Sequence, residues 1–327
     1  MRYVDLGNSS IKVSVIGFGA WAIGGKWWGG TDEKDSISAI KASLSTGVNF
    51  IDTAPAYGMG LSEELVAKAI KGQRDKVILA TKCGLRWNLN KGSYHFEYSP
   101  GVSVYKYLGK ESIRYEVEQS LRRLNTDYID LFQTHWQDPT TPISETMETL
   151  MELKEKGIIR AIGASNASVN QLEEYSKYGI INTDQEKYSL IDRNVESHAL
   201  PWCQKNGLSM IAYSPMSKGL LTGKISPDRV FGEGDSRIGD LRYSAENITR
   251  VNNLLEKHLK KVAIKHNASI GHIAVAWVIK NRAVIALCGA RNEKQALENS
   301  LAGDILLDSE DLEKFQSFIN EYQKNFV

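Results

Sequence analysis

Four polar side chains of complementary chemistry fall at or near the ends of strand-like segments in the first half of the chain. Asp52 lies in the run NFIDTA, Tyr57 follows five residues later, Lys82 ends VILATK and His135 ends YIDLFQTH. A phenol has a reference pKa of about 10, too high for an efficient acid near neutral pH, and a nearby ammonium lowers that pKa. An imidazole can donate a hydrogen bond to a carbonyl oxygen and fix its orientation. The set therefore predicts protonation of a developing alkoxide, as reduction of a carbonyl by hydride requires.

Eight short runs rich in β-branched residues recur along the chain, each followed by a loop and then by an amphipathic stretch. Strands that alternate with helical patterns of about 10–15 residues indicate parallel βαβ units. Eight units without a Pro-, Gly- or Ser-rich linker favour one closed (β/α)8 TIM barrel as a single domain over residues 1–327. The strand-like runs are 15–21, 49–54, 77–82, 128–135, 159–166, 183–189, 209–215 and 283–290, and the clearest helical patterns are 34–46, 62–70, 110–124, 143–156 and 169–178.

Five segments fall outside the repeated unit. They are expected to be an N-terminal β-hairpin over residues 2–13, long βα loops over 84–109 and 216–246, and extra C-terminal helices over about 247–266 and 309–322. Long loops in a compact domain usually serve function. In a barrel, catalytic groups lie where strands end and the following loops begin, so these loops are expected to surround the four polar side chains.

A glycine-rich turn after the first strand offers a competing interpretation. Residues 17–22, GFGAWA, match the G-x-G-x-x-A pattern of a dinucleotide-binding βαβ fold. The residues that follow, IGGKWWGG, do not begin a helix, so no helix N-terminus would face a pyrophosphate. The acid that such a fold needs about 20 residues further on is also missing, because the first strand-end acid is Asp52. We therefore favour a tight turn at the mouth of a barrel.

Seven motifs resemble those of the aldo-keto reductase superfamily over essentially the whole chain. They are LGNSSIKVSVIGFGAW, GVNFIDTAPAYGMGLSEELV, ATKCG, SLRRLNTDYIDLFQTHW, GIIRAIGASN, AYSPMSKGLLTGK and GARNEKQALEN. The chain is most similar to the bacterial branch near inositol- and general-stress-related reductases, and more distantly to potassium-channel β subunits. The resemblance implies a catalytic tetrad of Asp52, Tyr57, Lys82 and His135, with Tyr57 as the proton donor. It also implies direct hydride transfer from NADPH without a metal.

Polar and aromatic side chains at later strand ends are suited to a nicotinamide ring. Ser165 and Asn166 end the fifth strand and Gln185 lies in the sixth, and their hydroxyl and amide groups can fix a carboxamide. Tyr213, at the end of the seventh strand, offers a flat face for the ring. The resemblance implies the same contacts, because the family uses the matching positions for them.

The loop after the seventh strand contains glycines and basic residues and suits a pyrophosphate. Backbone N–H groups and the ammonium of Lys224 would make the contacts. The cofactor residues predicted here are Ser214, Pro215, Met216, Gly219, Leu220, Gly223 and Lys224, with Gly19 and Trp21 at the end of the first strand.

The loop after the eighth strand opens a helix and carries an arginine, and both features favour an anion. Helix N-termini bind anions, and Arg291 adds a planar, permanently charged donor for the 2′-phosphate of NADPH. Glu298 and Asn299 match family positions that contact the adenine. Gly289 and Gln295 complete the cofactor residues predicted in this loop.

Aromatic residues are concentrated in the segments predicted to surround the barrel mouth. We predict that Trp27, Trp28, Trp87 and Trp136 line the substrate pocket. Aromatic faces beside polar groups suit a sugar, a keto-sugar or a polyol-derived carbonyl, whose C–H faces stack while its hydroxyls form hydrogen bonds. Flat aromatic ketones would also fit.

Composition argues against several other classes of function and partner. The 327 residues carry 40 basic and 39 acidic side chains, so neither nucleic acid nor an anionic membrane is an expected partner. Cys83, Cys203 and Cys288 lack the number and spacing of a disulfide framework or a zinc site, and no metal is expected. The N-terminus lacks an apolar signal core, which favours the cytoplasm. No particular oligomeric state is predicted.

The same barrel is compatible with two other functions. A cofactor-bound sensor or accessory subunit would bind NADPH with little turnover, but a pure binder needs no acid. A lyase or isomerase would use Lys82 as a Schiff-base amine, but the adjacent Asp52 and Tyr57 and the late phosphate loop argue against it. We therefore predict NADPH-dependent reduction of an aldehyde or ketone, reversible as alcohol oxidation.

Overall fold

Eight parallel strands close into a barrel in which neighbours along the chain are also neighbours in space. The computed structural model describes the backbone of residues 1–326 and the side chains of residues 1–324. The predicted (β/α)8 barrel is confirmed: seven of the eight predicted runs contain a barrel strand, and the run 77–82 covers all of β5 except Cys83. The barrel strands are β3 to β5 and β9 to β13. Within the described residues the strands are β1 (Tyr3–Asp5), β2 (Lys12–Ser14), β3 (Ile16–Gly19), β4 (Phe50–Asp52), β5 (Ile78–Cys83), β6 (Leu85–Arg86), β7 (Ser93–Ser99), β8 (Val102–Lys106), β9 (Ile129–Thr134), β10 (Ile159–Ser165), β11 (Thr183–Lys187), β12 (Ser209–Tyr213) and β13 (Val284–Cys288).

The helices lie in the connections between these strands and at the C-terminal end. The five predicted helical patterns agree with the observed bounds to within one residue. The first helix has a side-chain cap, since Asp32 Oδ1 accepts the Asp35 N–H at 2.8 Å at its start. The helices of the described chain are α1 (Glu33–Ser45), α2 (Leu61–Ala69), α3 (Lys110–Leu124), α4 (Ile143–Glu155), α5 (Val169–Tyr178), α6 (Ala199–Lys205), α7 (Ala245–Lys265), α8 (Ile270–Val278), α9 (Glu293–Ser300) and α10 (Ser309–Phe326).

The predicted N-terminal hairpin is formed by β1 and β2, and it packs on the barrel interior. Val4 pairs with Val13 in antiparallel register. Leu6 and Val13 are fully buried in one cluster with lumen residues such as Phe50 and Ile211. Because apolar side chains fill this part of the lumen, the polar groups lie toward the carboxyl ends of the strands, where barrel enzymes place their sites.

Residues 84–109 form a small antiparallel sheet and not the long loop that the sequence analysis expects. β8 pairs with β6 on one side and with β7 on the other. The turn between β7 and β8 contains Gly101 with a φ of 79°, in the left-handed region that favours glycine. The expectation rested on aromatic content and overlooked the alternation of polar and aromatic residues in SYHFEYS, which is typical of a strand.

The long segment after β12 is partly ordered into short helical turns. Residues 216–246 contain two 3-10 turns, Ser217–Thr222 and Leu241–Tyr243. Helix α7 begins at Ala245, with Ser244 as its cap. Helix α8 falls in a stretch where no helix is predicted, because IGHIAVAWV is apolar almost throughout and shows little amphipathic period.

Several features are absent from residues 1–326. None of their helices is both long and apolar enough to cross a membrane. No group of three or more His, Cys, Asp or Glu side chains in this part of the chain is arranged to hold a metal ion. The three cysteines are buried and unpaired.

Candidate active site

The carboxyl ends of β4, β5 and β9 bring the four predicted catalytic side chains together. Asp52 is the last residue of β4, Lys82 is the next to last of β5, and His135 follows β9. Asp52 and Lys82 are buried beneath the mouth. Tyr57, in the loop after β4, lines the same cleft as His135.

Two glycines hold the Tyr57 loop against the first βα loop. A Cβ at Gly24 would lie 2.7 Å from the carbonyl carbon of Tyr57, and one at Gly58 would lie 2.4 Å from the carbonyl oxygen of Gly24. Gly58 also has a φ of 69°. A larger residue at either position would push the loops apart and displace the phenol.

Lys82 connects the acid to the phenol. Its Nζ donates to Asp52 Oδ1 at 2.5 Å, to the carbonyl oxygen of Thr53 at 3.0 Å and to Tyr57 Oη at 3.1 Å. Three acceptors satisfy the three N–H donors of an ammonium. The hydrogen bond from Lys82 to Tyr57 is the contact that the carbonyl-reduction chemistry requires.

Burial raises the pKa of Tyr57 above its usual value. Loss of solvation is the largest cause, and Asp52 acts in the same direction, whereas Lys82 opposes both. The lowered pKa that the ammonium alone predicts is therefore wrong, because burial and Asp52 outweigh Lys82. Burial lowers the pKa of Lys82, but its attraction to Asp52 and Tyr57 outweighs burial and the net change is upward. The phenol is therefore protonated near neutral pH beside a charged ammonium, which would stabilise the phenolate left after proton transfer.

His135 presents a neutral imidazole to the same part of the cleft. Burial holds its pKa well below the usual value, and the positive charge of Lys82 and the neighbouring His95 act in the same direction. The ring centroids of Tyr57 and His135 are 5.7 Å apart, with the planes at 85°. A neutral imidazole carries one N–H donor, which can orient a carbonyl oxygen placed between the two side chains.

Two amides hold the second carboxylate oxygen of Asp52. Gln133 Nε2 and Gln185 Nε2 each donate to Asp52 Oδ2 at 2.9 Å, and Gln185 Nε2 also lies 3.2 Å from Gln133 Oε1. Both glutamines are buried. Gln133 is not among the predicted site residues, although a polar amide inside the buried strand IDLFQT is a signal for it.

The residues predicted to hold a nicotinamide lie side by side on one wall. Tyr213 Oη donates to Asn166 Oδ1 at 2.9 Å, Asn166 Nδ2 donates to the carbonyl oxygen of His135 at 3.1 Å, and Ser165 Oγ donates to the carbonyl oxygen of Gln185 at 2.9 Å. Gln185 lines the cleft, and no donor among the described residues reaches its Oε1. A buried amide with an unengaged oxygen fits the carboxamide of a nicotinamide.

The loop after β12 contributes backbone to the cleft. Its lining residues include Ser214, Pro215, Met216, Gly219 and Lys224, and Gly19 and Trp21 line the cleft at the end of β3. Ser214 has a φ of 55° and Gly219 a φ of 96°. Turns of this kind expose N–H groups suited to an anion.

Two residues predicted in this loop do not line the cleft. The side chain of Leu220 is buried in the core, and a Cβ at Gly223 would face Leu255 and Ile270. Both residues belong to the same glycine-rich run as the lining residues, but their positions face the core and not the cleft.

Arg291 lies in the opposite wall of the cleft, shortly before the start of α9. Its Nη2 donates to the carbonyl oxygen of Gly30 at 3.1 Å, and its backbone N–H donates to Gln295 Oε1 at 2.9 Å. No carboxylate lies within ion-pair distance of the Arg291 guanidinium among the described residues. An unpaired guanidinium at the start of a helix fits a phosphate.

The remaining predicted contacts close this end of the cleft. Lys224 Nζ lies 2.9 Å from Glu298 Oε2, which joins the loop after β12 to α9. Asn299 Nδ2 donates to the carbonyl oxygen of Gly289 at 3.0 Å. All four residues line the cleft.

An aromatic collar, made of Trp27, Trp28, Phe96 and Trp136, surrounds the mouth above Tyr57. The ring centroids of Trp27 and Phe96 are 5.5 Å apart. Trp87 does not line the cleft. It packs beside Leu85 and its neighbours in the small sheet.

The cleft has a volume of about 590 Å³ and includes cationic residues that were not predicted as site residues. These are Lys218, Arg229 and Arg237. The basic content of residues 216–246 is visible in the sequence, but which of its side chains face inward depends on how the segment folds.

The competing interpretation of residues 17–22 is wrong. Strand β3 is followed by a 3-10 turn at Ala22–Gly24, and the first α-helix begins only at Glu33. No helix N-terminus therefore faces a pyrophosphate at this turn.

Comparison with known proteins agrees with this geometry. A family model described as the Aldo/keto reductase family matches residues 15–320. A methylglyoxal reductase of Escherichia coli, named as NADH-specific, is 41% identical over 318 residues, covering 95% of this chain and 96% of that protein. The solved structure of a glycerol dehydrogenase from Gluconobacter oxydans superposes with a TM-score of 0.89 at 34% identity, covering 99% of this chain and 97% of that one. An aldo/keto reductase from Klebsiella pneumoniae, solved with NADP and acetate, superposes with a TM-score of 0.73 at 27% identity over 97% and 95% of the two chains.

Proposed function

The chain belongs to the aldo/keto reductase family, and from this premise we propose that it reduces a sugar-like aldehyde or ketone with NADPH, using Tyr57 as the general acid. The family assigns it to the oxidoreductases that act on carbonyl groups with a nicotinamide dinucleotide. The observation that carries the proposal is the buried chain Asp52–Lys82–Tyr57, with contacts of 2.5 Å and 3.1 Å.

The residues around the phenol would supply a proton and orientation. When bound, NADPH supplies the hydride. Tyr57 Oη donates its proton to the carbonyl oxygen, and Lys82 stabilises the phenolate that remains. His135, neutral because burial lowers its pKa, donates a second hydrogen bond that fixes the carbonyl. Because burial raises the pKa of Tyr57, the phenol keeps its proton until alkaline pH, and the activity in the reducing direction is expected to fall only there.

The cofactor would occupy the wall formed by the ends of β10 to β13. Gln185, with its free Oε1, and the neighbouring Ser165 and Asn166 would hold the nicotinamide amide, and Tyr213 would face its ring. The N–H groups of the loop after β12 would hold the pyrophosphate. These assignments place the reactive end of the nucleotide next to Tyr57.

The preference for NADPH rests on Arg291. Its guanidinium has no carboxylate partner within the described chain and lies at the start of α9, so it is available to a 2′-phosphate. The relative named as NADH-specific indicates that nucleotide preference varies among similar chains. The NADP complex of the Klebsiella relative agrees with our choice.

The aromatic collar supports a sugar-like substrate. Indole faces can stack on C–H groups, and the nearby polar side chains can accept or donate hydrogen bonds to hydroxyls. The glycerol dehydrogenase among the structural relatives is named for a polyol, which is consistent with this class.

We also propose that the protein works in a reducing compartment, the cytoplasm. Cys83, Cys203 and Cys288 are all buried as free thiols. Free buried thiols are typical of proteins kept under reducing conditions.

The test is turnover with and without the phenol. Purified protein is mixed with NADPH and a panel of aldehydes, keto-sugars and inosose, and the absorbance of NADPH is followed. We expect Tyr57→Phe to lower the rate by about 10²–10⁴ while NADPH still binds. A wild-type protein that binds NADPH tightly but reduces nothing on the panel would instead indicate a sensor or accessory subunit.

A further inference from the structure

Lys218 places a half-buried ammonium in the wall of the cleft. Its Nζ lies 3.0 Å from Ser236 Oγ and 3.4 Å from the carbonyl oxygen of Ser236. The same Nζ lies 5.6 Å from the centre of the Trp21 ring. The side chain is therefore held in place by contacts that leave its charge uncompensated.

The carboxylates around Lys218 are engaged by other cations. Asp192, Asp235 and Asp240 each lie 2.6 Å from a lysine or arginine nitrogen other than Lys218 Nζ. Within the described residues, no carboxylate lies within ion-pair distance of Lys218. Burial lowers the pKa of Lys218 from its usual value; Asp240 and Asp235 only partly oppose the effect, and Arg242 and Lys187 add to it. A charge that is both partly desolvated and unpaired is costly, and an anionic ligand would remove that cost.

Contacts with the aromatic collar favour the substrate as the source of that anion, although Trp21, which Lys218 also faces, is itself assigned to the nucleotide. The Trp21 ring below Lys218 meets Trp28 of the aromatic collar with ring centroids 5.2 Å apart. Arg237, which donates to the carbonyl oxygen of Lys218 at 3.3 Å, lies over the same Trp28 ring. The proposed phosphate contacts of the nucleotide are assigned to the loop N–H groups, Lys224 and Arg291.

The backbone conformation at Lys218 is also unusual. Ser217 and Lys218 have φ values of 44° and 48°, in the region that side-chain-bearing residues rarely adopt. Residues kept in such conformations concentrate at ligand sites. The strain and the unpaired charge are independent observations at one residue.

We propose that Lys218 is a subsite for an anionic group of the substrate, so that the preferred substrates are aldehydes or ketones carrying a phosphate or a carboxylate at the end remote from the carbonyl. The inference rests on the proposed carbonyl reduction. It narrows the sugar-like class to sugar phosphates, sugar acids and related anionic carbonyl compounds.

The test compares matched anionic and neutral substrates. Glyceraldehyde 3-phosphate is paired with glyceraldehyde, and succinic semialdehyde with butanal, each with NADPH at saturation. We expect wild-type protein to favour the anionic member in kcat/KM.

Lys218→Met should lower kcat/KM for the anionic members about tenfold to a hundredfold and change kcat/KM for the neutral members less than about threefold. Lys218→Arg, which keeps the charge, should recover much of the loss. Lys205→Met removes the same charge from an exposed position on α6 outside the cleft and should leave the ratio unchanged.

Other outcomes overturn the proposal in distinguishable ways. An equal loss for both members of each pair, or a wild-type preference for the neutral member, would show that Lys218 recognises no substrate anion. A dissociation constant for NADPH that rises in parallel would assign the ammonium to a nucleotide phosphate. If no carbonyl compound is reduced, the proposed function fails. The subsite is then tested by titrating the NADPH-loaded protein with succinate and following tryptophan fluorescence. We expect a change in fluorescence that Lys218→Met abolishes. No change in the wild type, or the same change in both proteins, would reject the subsite.

Discussion

The buried amide of Gln133 links the barrel interior to the proton donor. Its Nε2 donates to Asp52 Oδ2 at 2.9 Å, and Asp52 Oδ1 accepts a hydrogen bond from Lys82 Nζ. In Gln133→Met the volume is kept but the donor is lost, so Asp52 orients Lys82 less firmly and the ammonium lowers the pKa of Tyr57 less. We expect kcat/KM for carbonyl reduction to fall about tenfold. We also expect the alkaline limb of its pH profile to move to higher pH, because Tyr57 then keeps its proton longer, with little change in NADPH affinity.

A matched variant separates this positioning role from a general loss of packing. Gln137→Met removes an amide close to the same strand end, where Gln137 contacts Thr134 and Ser165 but not Asp52. It should leave the alkaline limb in place. If Gln133→Met lowers the rate without moving that limb, the amide serves only the fold.

Polar residues at strand ends were predictable, whereas Gln133 inside a strand and Lys218 in a folded loop were not. The tetrad could be found because a barrel gathers its strand ends, whatever the details of packing. Gln133 escaped notice because both faces of β9 are buried, so no alternation marks the lumen side. Lys218 could not be assigned, because its neighbours Ser236 and Arg237 reach it only through the fold of a long segment.

Strand β11 carries a buried acid, Asp184, on the face opposite Gln185. Both carboxylate oxygens of Asp184 lack a hydrogen-bond partner. Burial, with a smaller contribution from Glu186, raises the pKa of Asp184 well above its usual value. The folded protein therefore keeps a proton that the unfolded chain releases. The resulting contribution to stability is present below the unfolded pKa and is lost as pH rises toward the folded pKa.

Asp184→Asn removes this titration while keeping the shape of the side chain. We expect the variant to be more stable than the wild type at about pH 8 by at least about 1.4 kcal/mol, the value of one pKa unit. The difference should shrink toward about pH 3, below the pKa of the unfolded chain, where the acid is protonated in both states. Urea unfolding at several pH values measures it, and Asp127→Asn, at an exposed position, serves as the control. A difference that does not depend on pH would contradict the assignment.

The alternation of strands and helices predicted the barrel because, in each βα unit, a short strand-like run is followed by a stretch with the 3.6-residue period of a helix. The small sheet of β6 to β8 and helix α8 were missed for opposite reasons. In β7 the two-residue alternation runs through a segment rich in aromatic residues and is easily overlooked. Helix α8 is apolar almost throughout, so its apolar residues do not mark one face of a helix. Both elements pack on the barrel, so tertiary contacts decide their structure.

Across the whole molecule, contacts between loops bridge the cleft. Ser236 N–H donates to the carbonyl oxygen of Trp27 at 2.9 Å, and Arg291 Nη2 donates to that of Gly30 at 3.1 Å. These contacts tie the loops after β12 and β13 to the loop after β3. A nucleotide enclosed by all three would bind only the folded protein, so it would stabilise the whole chain by mass action.

This linkage offers a direct test of the Arg291 assignment. At a concentration of 100 times its dissociation constant, a ligand adds about 2.7 kcal/mol to the free energy of unfolding, and losing a charge-assisted hydrogen bond removes about 1.5–3 kcal/mol of binding. We therefore expect NADPH to raise the melting temperature of the wild type more than equal NADH does. Arg291→Ala should weaken NADPH binding about tenfold to a hundredfold and abolish that difference, while Arg291→Lys should keep part of it. Because NADH lacks the 2′-phosphate, its own stabilising effect should be the same in all three proteins, and an equal loss for both nucleotides would place the guanidinium on a group that they share.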